Sequence, residues 1–304
     1  MNNSIFLSRL TGKLLGDGCF TKQVGRKPRF QFIHRIEDFE WSEYCYKQLR
    51  GFLPLNPPIY KHTVDSRLQN GFSESYMVQS KTSTIVTELE SLWYRNRKKS
   101  LPLAFISQHL NEEALAWWYQ DDGHLTKQGT LPKKIVLSTD SFSIIELTSL
   151  QKLLHTKFYL SFKVDGQQRL LLYDQPQIYY FLKLVEPYIQ PCMNRKSLDS
   201  IETSEPLHYL KRTTIYLPKQ ILLQKPTKEI NERLIYTYQI LQQFKDRKTF
   251  LQFYYSNLPL RLTKQISKGY QICLTEENKI NLHKIKELSG WNQSQIALLC
   301  LEKV

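Results

Sequence analysis

Cysteine is scarce in this chain, and the few cysteines are not arranged for disulfide bonds or zinc. The five cysteines are odd in number, widely spaced along 304 residues, and lack the paired spacing of zinc ligands. No apolar run reaches the roughly 18 residues that span a bilayer, and no secretory signal precedes the first helical segment. We therefore expect no membrane partner and a reducing location, either bacterial cytoplasm or an organelle matrix.

Acidic residues are also scarce relative to basic ones. The chain has 28 Asp and Glu against 42 Lys and Arg, which gives a formal net charge of +14. Such a surplus attracts polyanions, with nucleic acid ahead of a membrane surface, although it can also serve solubility alone. A hydrophobic content of 41% is ordinary for a folded protein and excludes a disordered chain.

Two short segments share an apolar helical run that ends in Asp-Gly. They are residues 10–18, LTGKLLGDG, and residues 115–123, LAWWYQDDG. Each places a carboxylate, Asp17 or Asp122, at the last turn of a helix, and we expect the following Gly to adopt a left-handed conformation where the chain turns away. Carboxylates at helix C-termini hold a proton or a divalent cation more readily than in open water, because the local field is negative. Two such helices side by side predict a metal site.

The chain repeats itself at an offset of 105 residues, the difference between 122 and 17, in every matching segment except the last, where one residue is deleted and the offset at Lys99 is 97. The last of the matching segments aligns Lys99 with Lys196. We interpret residues 1–105 and 106–205 as two homologous units of small-domain size. Besides the motifs, the matching segments are residues 21–23 and 126–128, 29–33 and 134–138, and 96–101 and 194–198.

This repeated pattern resembles the single-chain, two-motif LAGLIDADG homing endonucleases over about residues 5–205. Its most specific segments are residues 115–123, 135–142, and 187–193 followed by Lys196. The resemblance implies an α+β fold in which two pseudo-symmetric αββαββα units form a saddle on duplex DNA. It also implies that the two motif helices pack together at the pseudo-twofold seam.

The seam residues depart from the family pattern in the second motif. Gly12 and Gly16 lie four apart on one helix face, where they allow a partner backbone to approach closely. The corresponding positions, Trp117 and Asp121, are larger than the small residues of the family pattern. We expect an asymmetric helix contact, and two non-identical half-sites in the target.

The resemblance implies a site-specific endonuclease that hydrolyses one phosphodiester in each strand of double-stranded DNA. Asp17 and Asp122 would hold Mg²⁺, with Mn²⁺ able to substitute, together with the backbone of Gly16 and Asp121. Such an ion activates a water and stabilises the leaving oxygen. We interpret the Asp121 side chain as a helix-end or backbone contact in preference to a metal ligand.

Two lysines match basic active-site positions of the family. Lys99 and Lys196 would stabilise charge on the phosphate or organise the attacking water. The alternative is that both lie in solvated basic turns.

Polar residues on the predicted strands are candidates for base readout in the major groove, where each base pair has its own donor and acceptor pattern. Any single one is more simply explained by contact with phosphate or solvent. We expect these side chains to face outward. They are Arg29, Gln31, His34, Arg35, Lys61, Arg67, Gln79, Lys81, Lys134, Ser138, Lys163 and Arg169.

Residues 206–304 lie outside the repeat and the resemblance, and their pattern indicates a separate basic, α-rich module. We predict strands at residues 213–218 and 270–274, a helix over 228–253, and two final helices separated by Gly290. Strand, helix, Gly turn and helix resembles the ribbon-helix-helix DNA-binding module, whose strand enters the major groove. Gln271 is then a DNA-contact candidate, and a small helical packing domain is the alternative.

The leading hypothesis is a monomeric endonuclease with a long, asymmetric double-stranded DNA target. Such a protein mobilises an intron or an intein, or is encoded by a free-standing gene. Two alternatives stay open. The first is an RNA-binding maturase that helps its intron fold, with intron RNA as partner. The second is a DNA-binding regulator that kept the fold and lost cleavage.

Overall fold

The protein is described by a computed structural model that covers residues 3–128, 131–198, 212–242 and 267–302. It divides into two compact units. The first comprises Met1–Tyr173 with Phe181–Asp199, and the second comprises Asp174–Tyr180 with Ser200–Val304. Within the described residues, no helix has both the length and the apolar character needed to cross a membrane.

The first half of unit 1 follows the order helix, strand, strand, helix, strand, strand, helix. Its four main strands form an antiparallel sheet. The elements are α1 (Asn3–Leu15), β1 (Cys19–Thr21), β2 (Arg29–Arg35), α2 (Phe39–Leu49), β3 (Ile59–Val64), β4 (Phe72–Gln79) and α3 (Thr84–Trp93), followed by the short hairpin β5 (Tyr94–Arg95) and β6 (Lys98–Lys99) and by α4 (Leu103–His109). The spatial strand order is β1-β2-β4-β3.

The second half repeats this order. Its elements are α5 (Glu112–Asp122), β7 (Gly123–Gln128), β8 (Leu131–Leu137), α6 (Ile144–Phe158), β9 (Lys163–Val164), β10 (Leu170–Leu172) and α7 (Gln175–Val185), followed by 3₁₀ turns at Glu186–Tyr188 and Pro191–Lys196. The strand order β7-β8-β10-β9 corresponds strand for strand to that of the first sheet. The predicted fold class, α+β with two αββαββα units, is confirmed.

Helix α1 packs against α5 through its two glycines. A Cβ on Gly12 would lie 2.3 Å from the Ala114 carbonyl oxygen and 2.7 Å from the Trp117 Cβ. A Cβ on Gly16 would lie 2.5 Å from the Asp121 Cβ. The absence of side chains on α1 therefore makes room for the larger residues of α5.

The glycines that follow the motif acids are required for a different reason from the one predicted. Neither Gly18 nor Gly123 has a positive φ, and Gly123 is extended at φ −84° and ψ 147°. The expectation of a left-handed turn is wrong at both. A Cβ on Gly18 would lie 2.6 Å from the Lys13 carbonyl oxygen, and one on Gly123 would lie 2.4 Å from the Tyr119 carbonyl oxygen. Glycine is needed because the chain folds back onto its own helix end.

The prediction that His34 faces outward is also wrong. Exposure alternates along β2, with Phe30, Phe32 and His34 buried and Arg29 exposed. Successive side chains of a strand point to opposite faces, so His34 lies on the same side as the two phenylalanines. It is only 5% exposed.

Residues 158–164 have a sequence typical of a strand, but most of them do not form one. A capping box between Ser143 and Glu146 begins α6, and the helix continues to Phe158. Tyr159 then adopts the left-handed conformation with φ 58°, which ends the helix and leaves only the two-residue strand β9. Local capping determines the boundary here.

Unit 2 contains a strand pair and three helices among its described residues. They are β11 (Thr213–Pro218), α8 (Pro226–Gln242), β12 (Ser267–Ile272), α9 (Glu276–Ser289) and α10 (Gln293–Glu302). β11 pairs antiparallel with β12, so the second strand of the ribbon comes from the same chain. The predicted helix over residues 228–253 begins at Pro226, and its part beyond residue 242 lies outside the described residues.

Each of the final two helices begins at a capping residue. The Thr275 side chain accepts from the backbone N–H of Asn278, and Gly290 ends α9 with φ 66°. Asn292 caps α10, and the Gln295 side chain accepts from the Asn292 N–H to complete a capping box. The apolar core of the unit is formed by Ile215, Leu217, Ile230, Leu234, Tyr270, Ile272, Leu282, Ile285, Ile296 and Ala297, all of them buried.

The glycine seam gives a stability prediction. We expect Gly12→Ala to lower the free energy of unfolding by about 1–3 kcal/mol, because its Cβ would meet a backbone oxygen that no rotamer change can move. Gly51→Ala is the matched control, since nothing lies within 4 Å of the corresponding Cβ. Thermal and denaturant unfolding of both variants measures the difference. A Gly12→Ala variant as stable as the control would contradict the close packing of α1 on α5.

Candidate active site

The two motif acids lie at the ends of the packed helices α1 and α5. Asp17 follows α1 by two residues with its side chain 31% exposed, and Asp122 is the last residue of α5. Burial, with the charges of Asp121 and Asp122, raises the pKa of Asp17 to about 8. Burial, with the charge of Asp121, raises the pKa of Asp122 to about 6. Both carboxyl groups therefore favour a proton or a bound cation over bare negative charge.

Next to them lies a fully buried ion pair that sequence reasoning did not predict. Lys13 Nζ lies 2.6 Å from Asp121 Oδ1, and both side chains have no exposed surface. Burial alone would lower the pKa of Lys13, but the charges of Asp121, Cys45 and Asp17 and the hydrogen bond to Asp121 together outweigh burial, and the pKa is raised. Burial alone would raise the pKa of Asp121, but neighbouring groups, chiefly the Lys13 ammonium, outweigh burial and the pKa is lowered. Lys13 is thus an ammonium and Asp121 a carboxylate.

His34 completes this cluster as a neutral ring. Its Nε2 lies 3.0 Å from Lys13 Nζ and its Nδ1 lies 2.6 Å from Ser42 Oγ. Burial and the Lys13 charge lower the pKa of His34 to about 4. Because the Lys13 ammonium can only donate, Nε2 carries the lone pair and Nδ1–H faces Ser42.

Asp17, His34 and Asp121 together have the ligand types of a metal site. One donor atom from each lies within 4.8 Å of the others. The Lys13 ammonium, however, already bonds to both His34 and Asp121. A cation of the chain itself thus already bonds to two of these three residues. Carboxylate oxygens are the ligands that Mg²⁺ prefers.

The Asp121 carboxylate also contacts the other motif helix. Its Oδ2 accepts from the backbone N–H of Asp17 at 3.2 Å, and its Oδ1 accepts from Trp41 Nε1 at 2.7 Å. The available sequence signal was Lys13 itself, a lysine on an otherwise apolar helix face, four residues before the acid.

The two aligned lysines occupy equivalent places at the motif-helix ends. Lys99 Nζ donates to the Gly18 carbonyl at 2.9 Å and to that of Gly16 at 3.4 Å. Lys196 Nζ donates to the carbonyls of Tyr119, Gln120 and Asp121 at 3.0, 2.5 and 3.2 Å. An ammonium is favourable at the negative end of a helix.

The two lysines are partly buried and lie near the motif acids. Burial lowers the pKa of Lys99, and burial lowers that of Lys196 to about 8. Their charges act to lower the pKa of Asp122. They also bond to the Gly16 and Asp121 carbonyls that the sequence suggested as backbone metal donors.

Three of the predicted DNA contacts form one polar row on the outer face of the first sheet. Gln31 of β2 lies opposite Gln79 of β4. Gln79 Nε2 donates to Gln31 Oε1 at 2.9 Å, and Arg29 Nη1 donates to Gln79 Oε1 at 3.1 Å. Mutual hydrogen bonds hold the three side chains in one arrangement.

The remaining candidates are dispersed. Arg67 pairs with Asp65 and Arg169 with Asp165, each at 2.7 Å. Lys134 lies over the Tyr173 ring at 6.0 Å. The backbone N–H of Ser138 donates to the Asp122 carbonyl at 3.2 Å. The exposed candidates are Arg35, Lys61, Lys81 and Lys163 in unit 1 and Gln271 in unit 2.

Known proteins are similar in sequence to part of this chain. The chain is 28% identical over 190 residues to an uncharacterized protein of Methanocaldococcus jannaschii, which covers 62% of this chain and 71% of that protein. It is 27% identical over 201 residues to a probable intron-encoded endonuclease of Wickerhamomyces canadensis, covering 63% and 83%. It is 32% identical over 112 residues to an intron-encoded endonuclease of Dictyostelium discoideum, covering 34% of this chain and 65% of that relative.

A solved structure has a similar fold. The homing endonuclease I-WcaI bound to its DNA recognition sequence matches with a TM-score of 0.56 and 24% identity, over 64% of this chain and 86% of that one. The family model of the LAGLIDADG DNA endonucleases matches residues 7–178, which is more than half of the chain and includes both motif acids. This chain therefore belongs to the LAGLIDADG DNA endonuclease family.

Proposed function

We propose that the protein is a site-specific endonuclease that cuts both strands of DNA with a divalent metal held by Asp17 and Asp122. The observation that carries this proposal is the convergence of the two acids at the ends of packed helices, each acid having a raised pKa. Membership of a DNA endonuclease family supports the nuclease reaction. Carboxylate oxygens that favour added positive charge suit Mg²⁺ or Mn²⁺.

The metal ion and the protein residues have different roles in the proposed reaction. Asp17 and Asp122 would hold a metal ion, which would supply a water nucleophile at neutral pH and would stabilise the leaving oxygen. Lys99 and Lys196 hold ammonium groups beside the two acids, where they stabilise negative charge that builds on a phosphate. The packed helices and the Lys13–Asp121 pair hold the acids in place before DNA binds.

We further propose an asymmetric DNA target bound by one protein chain. The two halves share their order of elements but differ in the residues around the acids. Gly12 and Gly16 of the first half face Trp117 and Asp121 of the second. Sheets with unlike outer faces suit two unlike half-sites. The row of Arg29, Gln31 and Gln79 is the leading candidate for base contacts in the first half.

Unit 2 is proposed as an accessory DNA-binding module. In the β11–β12 ribbon, Tyr216 lies opposite Gly269 and Thr214 lies opposite Gln271, so these side chains share the outer face. Tyr216 is 58% exposed, and Gln271 is exposed. The ribbon residues carry Lys268 and no acid. A polar, basic ribbon of this kind fits a major groove.

The acids give the decisive test. We expect Asp17→Asn and Asp122→Asn each to slow double-strand cleavage by about 10³-fold, since metal stabilisation is worth several kcal/mol and each 1.36 kcal/mol is tenfold in rate. The substrate is a plasmid that carries the uninterrupted insertion site of the gene, with Mg²⁺, Mn²⁺ or EDTA. DNA binding should persist in both variants. Glu88→Gln, an exposed acid on α3, serves as the control and should cut normally.

Full activity of either Asn variant would contradict this site. Wild-type protein that fails to cut with either metal but binds the intron RNA tightly would support the maturase alternative. Wild-type protein that binds the DNA site without cutting would support the regulator alternative.

A substitution in the β11–β12 ribbon tests the proposed role of unit 2. We expect Gln271→Ala to weaken DNA binding by about 1 kcal/mol or more, since a good side-chain contact with a base is worth about that much. Gln239→Ala is the matched control, because Gln239 is exposed on α8 away from the ribbon. Equilibrium binding and footprinting on the same duplex measure both. Unchanged affinity and footprint would leave unit 2 as a packing domain.

A further inference from the structure

We propose that Asp121 is a positioning residue for Asp17, and that the motif helix of the second half thereby fixes the acid of the first half. The inference rests on the proposed function, because it concerns the same metal-holding carboxylate. Asp121 touches no reacting group in this account. It acts through Lys13 and through the backbone of Asp17.

The two oxygens of the Asp121 carboxylate have separate partners. Oδ1 accepts from Lys13 Nζ at 2.6 Å and from Trp41 Nε1 at 2.7 Å. Oδ2 accepts from the backbone N–H of Asp17 at 3.2 Å. Lys13 and Asp17 lie one helical turn apart on the same chain segment, so a single carboxylate holds both ends of that turn.

Two backbone hydrogen bonds also close this turn. The Gly18 N–H donates to the Lys13 carbonyl at 2.7 Å, and the Gly16 N–H donates to that of Gly12 at 3.1 Å. Backbone rotation at Asp17 would break the Asp121 contact and disturb these bonds. The direction in which the Asp17 side chain leaves the helix is therefore set by Asp121.

The repeat shows that this arrangement exists in one half only. At the offset of 105 residues, the counterparts of Lys13, His34 and Asp121 are Trp118, Thr139 and Gly16. None of these three has a charge, so they cannot form an equivalent ion pair around Asp122. Loss of the pair removes a backbone contact from Asp17, whereas the charges of Lys13 and Asp121, which shift the pKa of Asp122 in opposite directions, are lost together.

The test removes both charges together. Asp121→Asn alone would leave the Lys13 ammonium buried without its partner, and that variant is expected to unfold readily. We therefore use the double variant Lys13→Met/Asp121→Ala in the full chain. The matched control is Arg9→Met/Glu113→Ala, which removes another ion pair between α1 and α5, of 2.6 Å, one turn further from the acids.

Mn²⁺ affinity is the primary measurement, by electron paramagnetic resonance of the protein without DNA. We expect Lys13→Met/Asp121→Ala to weaken Mn²⁺ binding by about tenfold or more, as loss of a group that orients a metal ligand does. The control pair should stay within about twofold of wild type, since it orients neither acid. Thermal unfolding of both double variants shows that the proteins are folded at the assay temperature.

A thermodynamic cycle separates positioning from general stability. In an Asp17→Asn background, adding Lys13→Met/Asp121→Ala should weaken Mn²⁺ binding no further, because the two changes act through one ligand. A purely structural role predicts the same loss in both backgrounds and would overturn the proposal. So would Mn²⁺ affinity equal to that of the control pair.

Strand-resolved cleavage gives a second readout. On a doubly labelled duplex, the double variant should change the ratio of the two strand-cleavage rates relative to wild type, because one acid is displaced and the other is not. An unchanged ratio with unchanged Mn²⁺ affinity would overturn the proposal. Wild-type protein that binds Mn²⁺ but does not cut DNA would contradict the proposed nuclease function. The Mn²⁺ affinities of the thermodynamic cycle would still test the role of Asp121. Wild-type protein that binds no Mn²⁺ would overturn the positioning role.

Discussion

The close approach of α1 to α5 is the contact on which the candidate site depends. Two glycines on α1 leave space that the larger residues of α5 fill, so the ends of the helices meet. Asp17, Asp121 and Asp122 therefore lie close together at the negative ends of the two helices, where cations are also attracted. A side chain on Gly12 or Gly16 would push α1 and α5 apart and thereby increase the distance between the acids. The positions of the charges at the site therefore depend on the packing of the two helices.

The three carboxylates at the seam differ in how their negative charge is compensated. Asp121 is neutralised inside the protein by Lys13, at the cost of removing both groups from water. Asp17 and Asp122 have no buried partner of that strength, and burial raises the pKa of each. Breaking a buried pair by removing one partner costs about 3–5 kcal/mol, whereas replacing both with apolar groups is often neutral. The pair is therefore better explained by where it holds the Asp17 backbone than by the stability it adds.

Much of this arrangement could be predicted from local sequence. The repeat, the motif acids and the aligned lysines can be identified from the sequence alone. For His34, the polarity of the side chain suggests an outward position, whereas the alternation with Phe30 and Phe32 correctly indicates the buried face. The Lys13–Asp121 pair was not predictable in the same way. The two residues are 108 positions apart, and only the packed seam shows that the lysine has a partner.

The pseudo-twofold seam explains why these two residues can meet at all. Gly16 and Asp121 are equivalent positions of the repeat, and equivalent positions near a twofold axis face each other. A homodimer of the first half would place Gly opposite Gly and leave Lys13 buried without a partner. A homodimer of the second half would place Asp opposite Asp and bury two like charges. One chain that carries both halves sets a carboxylate against a glycine, so the ion pair depends on the same difference between the halves from which we propose unlike half-sites.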